Sequence, residues 1–292
     1  MEAVQVVGPN SKFSCEAANE QSIGVKPFVK WAGGKSQVLP TLRRFVPRAF
    51  KRYFEPFLGG GALYFDLGPT QACLSDANPE LINCYKVVKE FPDELLSLLS
   101  TYSVSKDEFY RVRSIDPQTL SDVERAARLI YLNKTCYNGL YRVNKKGQFN
   151  TPFGGHRNPR LVDPDNMRRA SKLLRNATIL CADYYESLIK EAGAGDFIYL
   201  DPPYLPVGIY SDFKRYTRAS FYKEDHRKLA ALFKLLDQRG CLLVLSNSYH
   251  PEIRELYSKY EMQVVTAPRF INCKGNQRGV VNELIISNLR LS

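Results

Sequence analysis

Histidine is almost missing from this 292-residue chain: His156, His226 and His250 are the only three, and none stands at metal-ligand spacing from another. Imidazole chemistry therefore has little to be built from, and no metal is expected. The seven cysteines (Cys15, Cys73, Cys84, Cys136, Cys181, Cys241 and Cys273) include no CxxC pair. That excludes a zinc or disulfide framework, and their place in or beside apolar runs predicts reduced core thiols. No apolar run approaches the roughly 18 residues of a membrane span. The first residues lack the basic, apolar and cleavage-site succession of a secretory leader, so a cytoplasmic protein is expected. Gly34-Lys35-Ser36 ends like a P-loop, but Val29 holds the place of its first glycine and excludes that reading. Acids are outnumbered, 30 against 41 Lys and Arg, leaving a formal charge of +11. Such a surface favours an anionic partner and says nothing about fold.

What is present is organised around Asp196 to Tyr204. Phe197-Ile198-Tyr199-Leu200 is a β-prone apolar run that stops at Asp201-Pro202-Pro203-Tyr204. Neither proline can donate to a ladder, and Pro202 biases Asp201 toward extended backbone. The strand should end by presenting a carboxylate, a rigid carbonyl and an aromatic ring, at the sheet edge where α/β proteins bind ligands. The length suits one large α/β domain with a sizeable insertion. Residues 1 to about 24 are weakly patterned and predict a mobile tail. Order should begin near Lys26, in a stretch holding the single tryptophan, Trp31, and Lys35. Tyr53 to Phe57 reads as a strand entering a glycine turn, Gly59-Gly60-Gly61, and then a helix to about Leu67. Tyr64 stands where a dinucleotide fingerprint needs its third glycine. The next strand, Ala72 to Ser75, ends in Asp76-Ala77-Asn78-Pro79. Asp76 suits a ribose diol, while Asp76 or Asn78 suits a helix cap.

Pro79 to Asn133 is helical in pattern, clearest over Phe91–Leu99 and Val123–Leu132. Residues 134–175 then carry ten Lys or Arg against two acids, a local +8. Turn signals at Tyr137-Asn138-Gly139 and Lys146-Gly147 flank Tyr141-Arg142-Val143 and predict a β-hairpin. Aromatic, Asn and Arg side chains mixed on such turns are the types that contact phosphates and bases. Strands follow at Ala177–Ala182, with Asp183-Tyr184 at its tip, at Cys241–Leu245 before Ser246-Asn247-Ser248, at Gln263–Thr266 and at Leu284–Ser287. Between them, Tyr204 to Tyr222 reads as a mobile active-site loop and Lys223 to Leu236 as a helix.

Taken together these motifs resemble the adenine-N6 DNA methyltransferases of the Dam type. Lys30-Trp31-Ala32-Gly33-Gly34-Lys35 looks like their cofactor motif, Glu55-Pro56-Phe57-Leu58-Gly59-Gly60-Gly61 like their glycine-rich motif, and Asp201-Pro202-Pro203-Tyr204 like their catalytic motif. Tyr137 to Arg142 through Phe149 to Gly154 is similar to their DNA-reading hairpin. The order agrees from about Lys26 to Asn288. The resemblance implies a Rossmann-like α/β fold, a seven-stranded, mostly parallel sheet with helices on both faces. Residues 25–78 and 176–292 would form the catalytic domain, and 79–175 a target-recognition insertion with a basic hairpin over 134–160.

By the same resemblance, S-adenosylmethionine would contact Trp31, Lys35, Phe57, Gly59, Asp76, Asp183, Tyr184 and Asp201. Double-stranded DNA would meet Lys30, Lys134, Tyr137, Asn138, Leu140, Arg142 and Arg157, with the protein acting as a monomer. Asp201 and the Pro202 carbonyl would accept from the exocyclic amine of a flipped adenine, with Tyr204 stacked on the base. The implied target is GATC, although Gly155 and His156 stand where an arginine is expected and Arg157 follows two positions on. An RNA adenine methyltransferase, a cytosine-N4 enzyme and a non-catalytic DNA-binding module are the alternatives. Cytosine-C5 transfer is excluded because no Pro-Cys occurs, and zinc deamination because the cysteines after His250-Pro251-Glu252 are absent.

Overall fold

The computed structural model describes residues 16–17, 22–155, 159–206, 221–268 and 280–289. Most of the expected tail, the loop beyond Pro206, and His156 and Arg157 lie outside these residues. A short strand β1 (Glu16–Ala17) pairs antiparallel with β2 (Ala49–Phe50), and helix α1 (Leu39–Arg43) lies between them in the chain. Ile23 donates its N–H to the Asp66 carbonyl.

The glycine turn follows β3 (Tyr53–Glu55) and leads into α2 (Ala62–Leu67). Gly61, with φ of +63°, caps that helix in the left-handed region, where a Cβ would lie 2.8 Å from the Tyr85 hydroxyl. β4 (Ala72–Asp76) then feeds α3 (Pro79–Glu90), whose N-cap is Asn78. Its side chain accepts from the N–H groups of Glu80 and Leu81, and Pro79 needs no donor in the first turn. The expected helical stretch is four helices: α3, α4 (Pro92–Ser100), α5 (Lys106–Ser114) and α6 (Asp122–Thr135). Pro92 separates the first two, and a Ser121–Glu124 capping box starts the last.

The predicted hairpin is a looser structure. Tyr137–Gly139 is one 3₁₀ turn, and backbone pairing between the two arms is confined to the isolated bridges Cys136↔Phe153 and Val143↔Phe149. Asn138, with φ of +55°, bends the chain away from an extended pairing. The chain returns through α7 (Pro164–Leu174), β5 (Ala177–Cys181), α8 (Tyr184–Ile189) and β6 (Phe197–Leu200). It ends with α9 (Lys223–Gln238), β7 (Leu242–Ser248), α10 (Pro251–Leu256), β8 (Glu261–Pro268) and β9 (Val280–Ser287).

The main sheet has seven strands in the order β5-β4-β3-β6-β7-β9-β8. β5 to β7 are parallel, and β9 runs antiparallel to both of its neighbours. From β3 the connections run outward to β4 and β5, and from β6 they run the other way. The β3–β6 boundary is therefore the topological switch point, and a crevice is expected at its carboxyl edge. β6 is buried on both faces, which explains its unbroken apolar run: Phe197 and Tyr199 join the core under the N-terminal helices, while Ile198 and Leu200 join the core under α8, α9 and α10. Cys84, Cys136 and Cys241 are buried as expected and Cys73 is half-buried, but Cys181 is exposed at the carboxyl end of the edge strand β5.

Candidate active site

β6 ends at the switch point, so Asp201 is delivered beside the tip of β3. The Asp201 side chain is 18% exposed and forms an ion pair of 2.9 Å with Lys35, itself 6% exposed. Lys35 Nζ also donates to the Gly33 carbonyl at 2.6 Å and stands 4.8 Å from the centre of the Tyr204 ring. Burial pushes the Asp201 carboxyl up to about 6, and the adjacent Lys35 cation limits the rise. The Tyr204 hydroxyl donates to Glu283 Oε2 at 3.0 Å, and its interaction with Asp201 also opposes the rise of that carboxyl. Glu55, at the tip of β3, is buried and accepts from the Tyr53 hydroxyl at 2.8 Å. Burial lifts its carboxyl to about 8, a rise opposed by the Tyr53 bond and reinforced by the Asp201 charge.

The glycine turn folds back over β4. Gly59, with φ of +47°, donates its N–H to Asp76 Oδ2 at 3.0 Å, and Asn78 donates to Oδ1 at 2.9 Å. Burial raises the Asp76 carboxyl, and these two amides oppose the rise. Each oxygen keeps acceptor capacity, so a vicinal diol could still be held there. A Cβ on Gly59 would lie 2.9 Å from Trp31 Cδ1, so only glycine admits the indole at this distance. On the neighbouring strand tip, Asp183 caps α8 by accepting from the Tyr185 N–H, and Tyr184 stacks on Phe57 at 5.0 Å. A diol acceptor, a glycine cradle and a stacked aromatic wall suit a nucleoside-bearing cofactor.

Trp31 also stacks on Tyr141, with ring centres 5.2 Å apart, which ties the Lys30–Lys35 stretch to the basic loop. A second tie is Asn133 of α6, which is fully buried. Its Oδ1 accepts from the Lys30 N–H at 2.8 Å, and its Nδ2 donates to the carbonyls of Lys30 at 2.7 Å and Gly139 at 3.0 Å. The Lys30 stem packs over Gly139, where a Cβ would meet it at 2.6 Å. Lys134 is drawn down to about 8 by burial and by the nearby Lys30 charge. Tyr137 and Asn138 are exposed on the adjoining turn, Leu140 is half-buried, and Arg142 is exposed with Nε donating to Asn150 Oδ1.

Residues 31–271 match the family described as D12 class N6 adenine-specific DNA methyltransferase. The chain belongs to that family. Its relatives include Type II methyltransferase M1.LlaDCHI of Lactococcus lactis subsp. cremoris, 41% identical over 92% of this chain and 97% of the relative. Type II methyltransferase M.MjaIII of Methanocaldococcus jannaschii is 43% identical over 90% and 99%. DNA adenine methylase of Escherichia coli (strain K12) is 31% identical over 89% and 94%. The enzyme is thus a DNA adenine-N6 methyltransferase, and none of the three alternatives finds support among these relatives. No described helix is long and apolar enough to cross a membrane, and no metal-holding group of His, Cys, Asp or Glu occurs among the described residues.

Three groups of expected residues meet in this methyltransferase: Lys35, Asp201 and Tyr204; Trp31, Gly59 and Asp76; and Phe57 with Tyr184. Pro202 is buried and Pro203 half-buried behind Asp201. Glu55, Asn133, Ser248 and Glu283 escaped the sequence reading as site residues. Glu55 carried a signal, an acid ending a buried strand before a proline. Glu283 carried none, because its strand reaches the site only through antiparallel pairing with β7.

Proposed function

We propose that the enzyme transfers the methyl group of S-adenosylmethionine to N6 of an adenine turned out of duplex DNA at GATC. The observation that carries this reading is the Lys35–Asp201 pair at the carboxyl end of β6, at the switch point of the sheet. Adenine N6 is a poor nucleophile because its lone pair is delocalised into the ring. The Asp201 carboxylate and the Pro202 carbonyl would accept its two hydrogens and localise that pair. Two successive prolines hold the carbonyl with little entropy left to lose, so the acceptors are preorganised. At about 6, Asp201 is ionised at neutral pH and still basic enough to take the proton that N6 sheds. Tyr204 would stack on the extruded base.

When bound, S-adenosylmethionine supplies an electrophilic sulfonium methyl. Asp76 would grip its ribose, Phe57, Asp183 and Tyr184 its adenine, and Trp31, Lys35 and Gly59 would line the rest. Residues 79–175 would read the DNA as an insertion into a catalytic domain formed by 25–78 and 176–292. Lys30, Lys134, Leu140, Arg142 and Arg157 would face the duplex, with Tyr137 or Asn138 filling the gap beside the displaced base. Lys134, lowered to about 8 by burial, would regain its charge against a phosphate.

The test is transfer of labelled methyl groups to matched GATC and GTTC duplexes and to a structured RNA. Strong labelling of GATC alone is expected. Equal labelling of the two duplexes would refute adenine in GATC as the target, and labelling of the RNA alone would overturn the duplex substrate.

A further inference from the structure

Two adjacent residues leaving the catalytic strand, Tyr204 and Leu205, are held by the two members of one cross-strand pair. β7 and β9 pair antiparallel with Ser248 opposite Glu283. Ser248 Oγ donates to the Leu205 carbonyl at 2.6 Å, and Glu283 Oε2 accepts from the Tyr204 hydroxyl at 3.0 Å. Ser248 and Leu205 are buried, and Glu283 and Tyr204 are half-buried. The chain after Tyr204 therefore gets a fixed backbone from one member of the cross-strand pair and a fixed ring from the other.

We propose that Ser248 and Glu283 are positioning residues for Tyr204, holding its ring at the angle at which it meets the target base. One ring face already lies toward the Lys35 ammonium, 4.8 Å from the ring centre, so a rotation of the phenol would disturb the Lys35–Asp201 pair as well. The Glu283 bond holds the ring at its hydroxyl end, where a small angular error displaces the face most, and the same hydroxyl interacts with Asp201. Antiparallel pairing matters here because it brings the last strand of the chain back to the carboxyl edge of the parallel strands. The inference rests on Asp201 and Tyr204 being the reactive site.

The test compares Glu283→Ala, Glu283→Gln, Ser248→Ala, Tyr204→Phe and Tyr204→Phe/Glu283→Ala, with Asp201→Ala beside them. Single-turnover rates and the KM for S-adenosylmethionine are measured on enzyme whose folding is checked by near-ultraviolet circular dichroism. Misplacement of a reacting group by about 1 Å costs up to about a hundredfold in rate, so Glu283→Ala should slow the single-turnover step by about tenfold or more. The KM for S-adenosylmethionine should stay within about twofold, and Glu283→Gln, which keeps an acceptor oxygen, should recover most of the rate. Ser248→Ala should slow the same step, and the double variant should be no slower than the worse of its single variants. Folded Glu283→Ala with an unchanged single-turnover rate would overturn the proposal, as would losses that multiply in the double variant. Near-normal turnover in Asp201→Ala would instead overturn the site on which the proposal rests.

Discussion

Removing the Lys35 charge should move the pH profile of the enzyme in a direction that simple damage would not produce. In Lys35→Met the apolar stem is kept and the 2.9 Å ion pair to Asp201 is lost. An opposite charge at this distance lowers a carboxylate by about 1–3 units, so its removal should carry Asp201 from about 6 to about 7–9. In the proposed mechanism the ionised carboxylate accepts the N6 hydrogens, so the rate should rise with pH through this value. At pH 7 the ionised fraction would fall from about nine-tenths to between about one half and one hundredth. Initial rates of labelled methyl transfer at saturating DNA and S-adenosylmethionine, from pH 5 to 9.5, read the shift directly. The expected result is an acid limb displaced upward by at least a unit, with most of the rate restored at alkaline pH. An acid limb that stays in place or moves down would refute the pairing as the control on Asp201.

Two further outcomes test the surroundings. Gly59→Ala places a Cβ 2.9 Å from Trp31 Cδ1 at a left-handed φ of +47°, so stability should drop by about 1–2 kcal/mol or more in urea unfolding. Binding of S-adenosylmethionine should weaken with it, and a variant matching the parent in both would contradict the cradle. Glu55 has a folded-state value near 8, above its ordinary 4.5, so the folded protein keeps a proton that the unfolded chain releases. Its contribution to stability is therefore complete below about 4.5 and is lost as pH rises to about 8, by about 1.4 kcal/mol per unit at most. Glu55→Gln should flatten that decline between pH 5 and 9, and parallel declines in parent and variant would show that Glu55 holds no such proton.

Local pattern revealed the parallel strands, because a buried parallel strand writes its whole course as an apolar run and its exit as Asp, Gly or Pro. β3, β4, β5 and β6 were readable this way, and Gly59, Asp76, Asp183 and Asp201 lie in the segments that follow or close them. The strands at the antiparallel end were longer than the pattern predicts. β8 runs Glu261–Pro268 and β9 Val280–Ser287, because the two strands pair with each other along their whole length, from Glu261 opposite Ser287 to Pro268 opposite Val280, and such nonlocal pairing leaves no mark in the local pattern. Glu283 and Ser248 sit in that nonlocal pairing. The basic loop was legible in part: Tyr137-Asn138-Gly139 is a turn, closed as 3₁₀ while Asn133 bonds the Gly139 carbonyl, and the antiparallel pairing around Lys146-Gly147 is confined to the Val143–Phe149 bridge. Trp31 looked like a lone cofactor aromatic, while its stacking on Tyr141 depends on a partner 110 positions away.

The three hydrogen bonds of Asn133 set a rule for anyone who would retarget this enzyme. They bind Lys30, next in the chain to Trp31, and Gly139, at the root of the basic loop proposed to read DNA, into one block. A transplanted loop that moved Gly139 would strand buried polar atoms, each costing about 1–3 kcal/mol. The portable unit is therefore the loop together with α6 and the Lys30 strip, and new sequence preference would have to be grafted at that size.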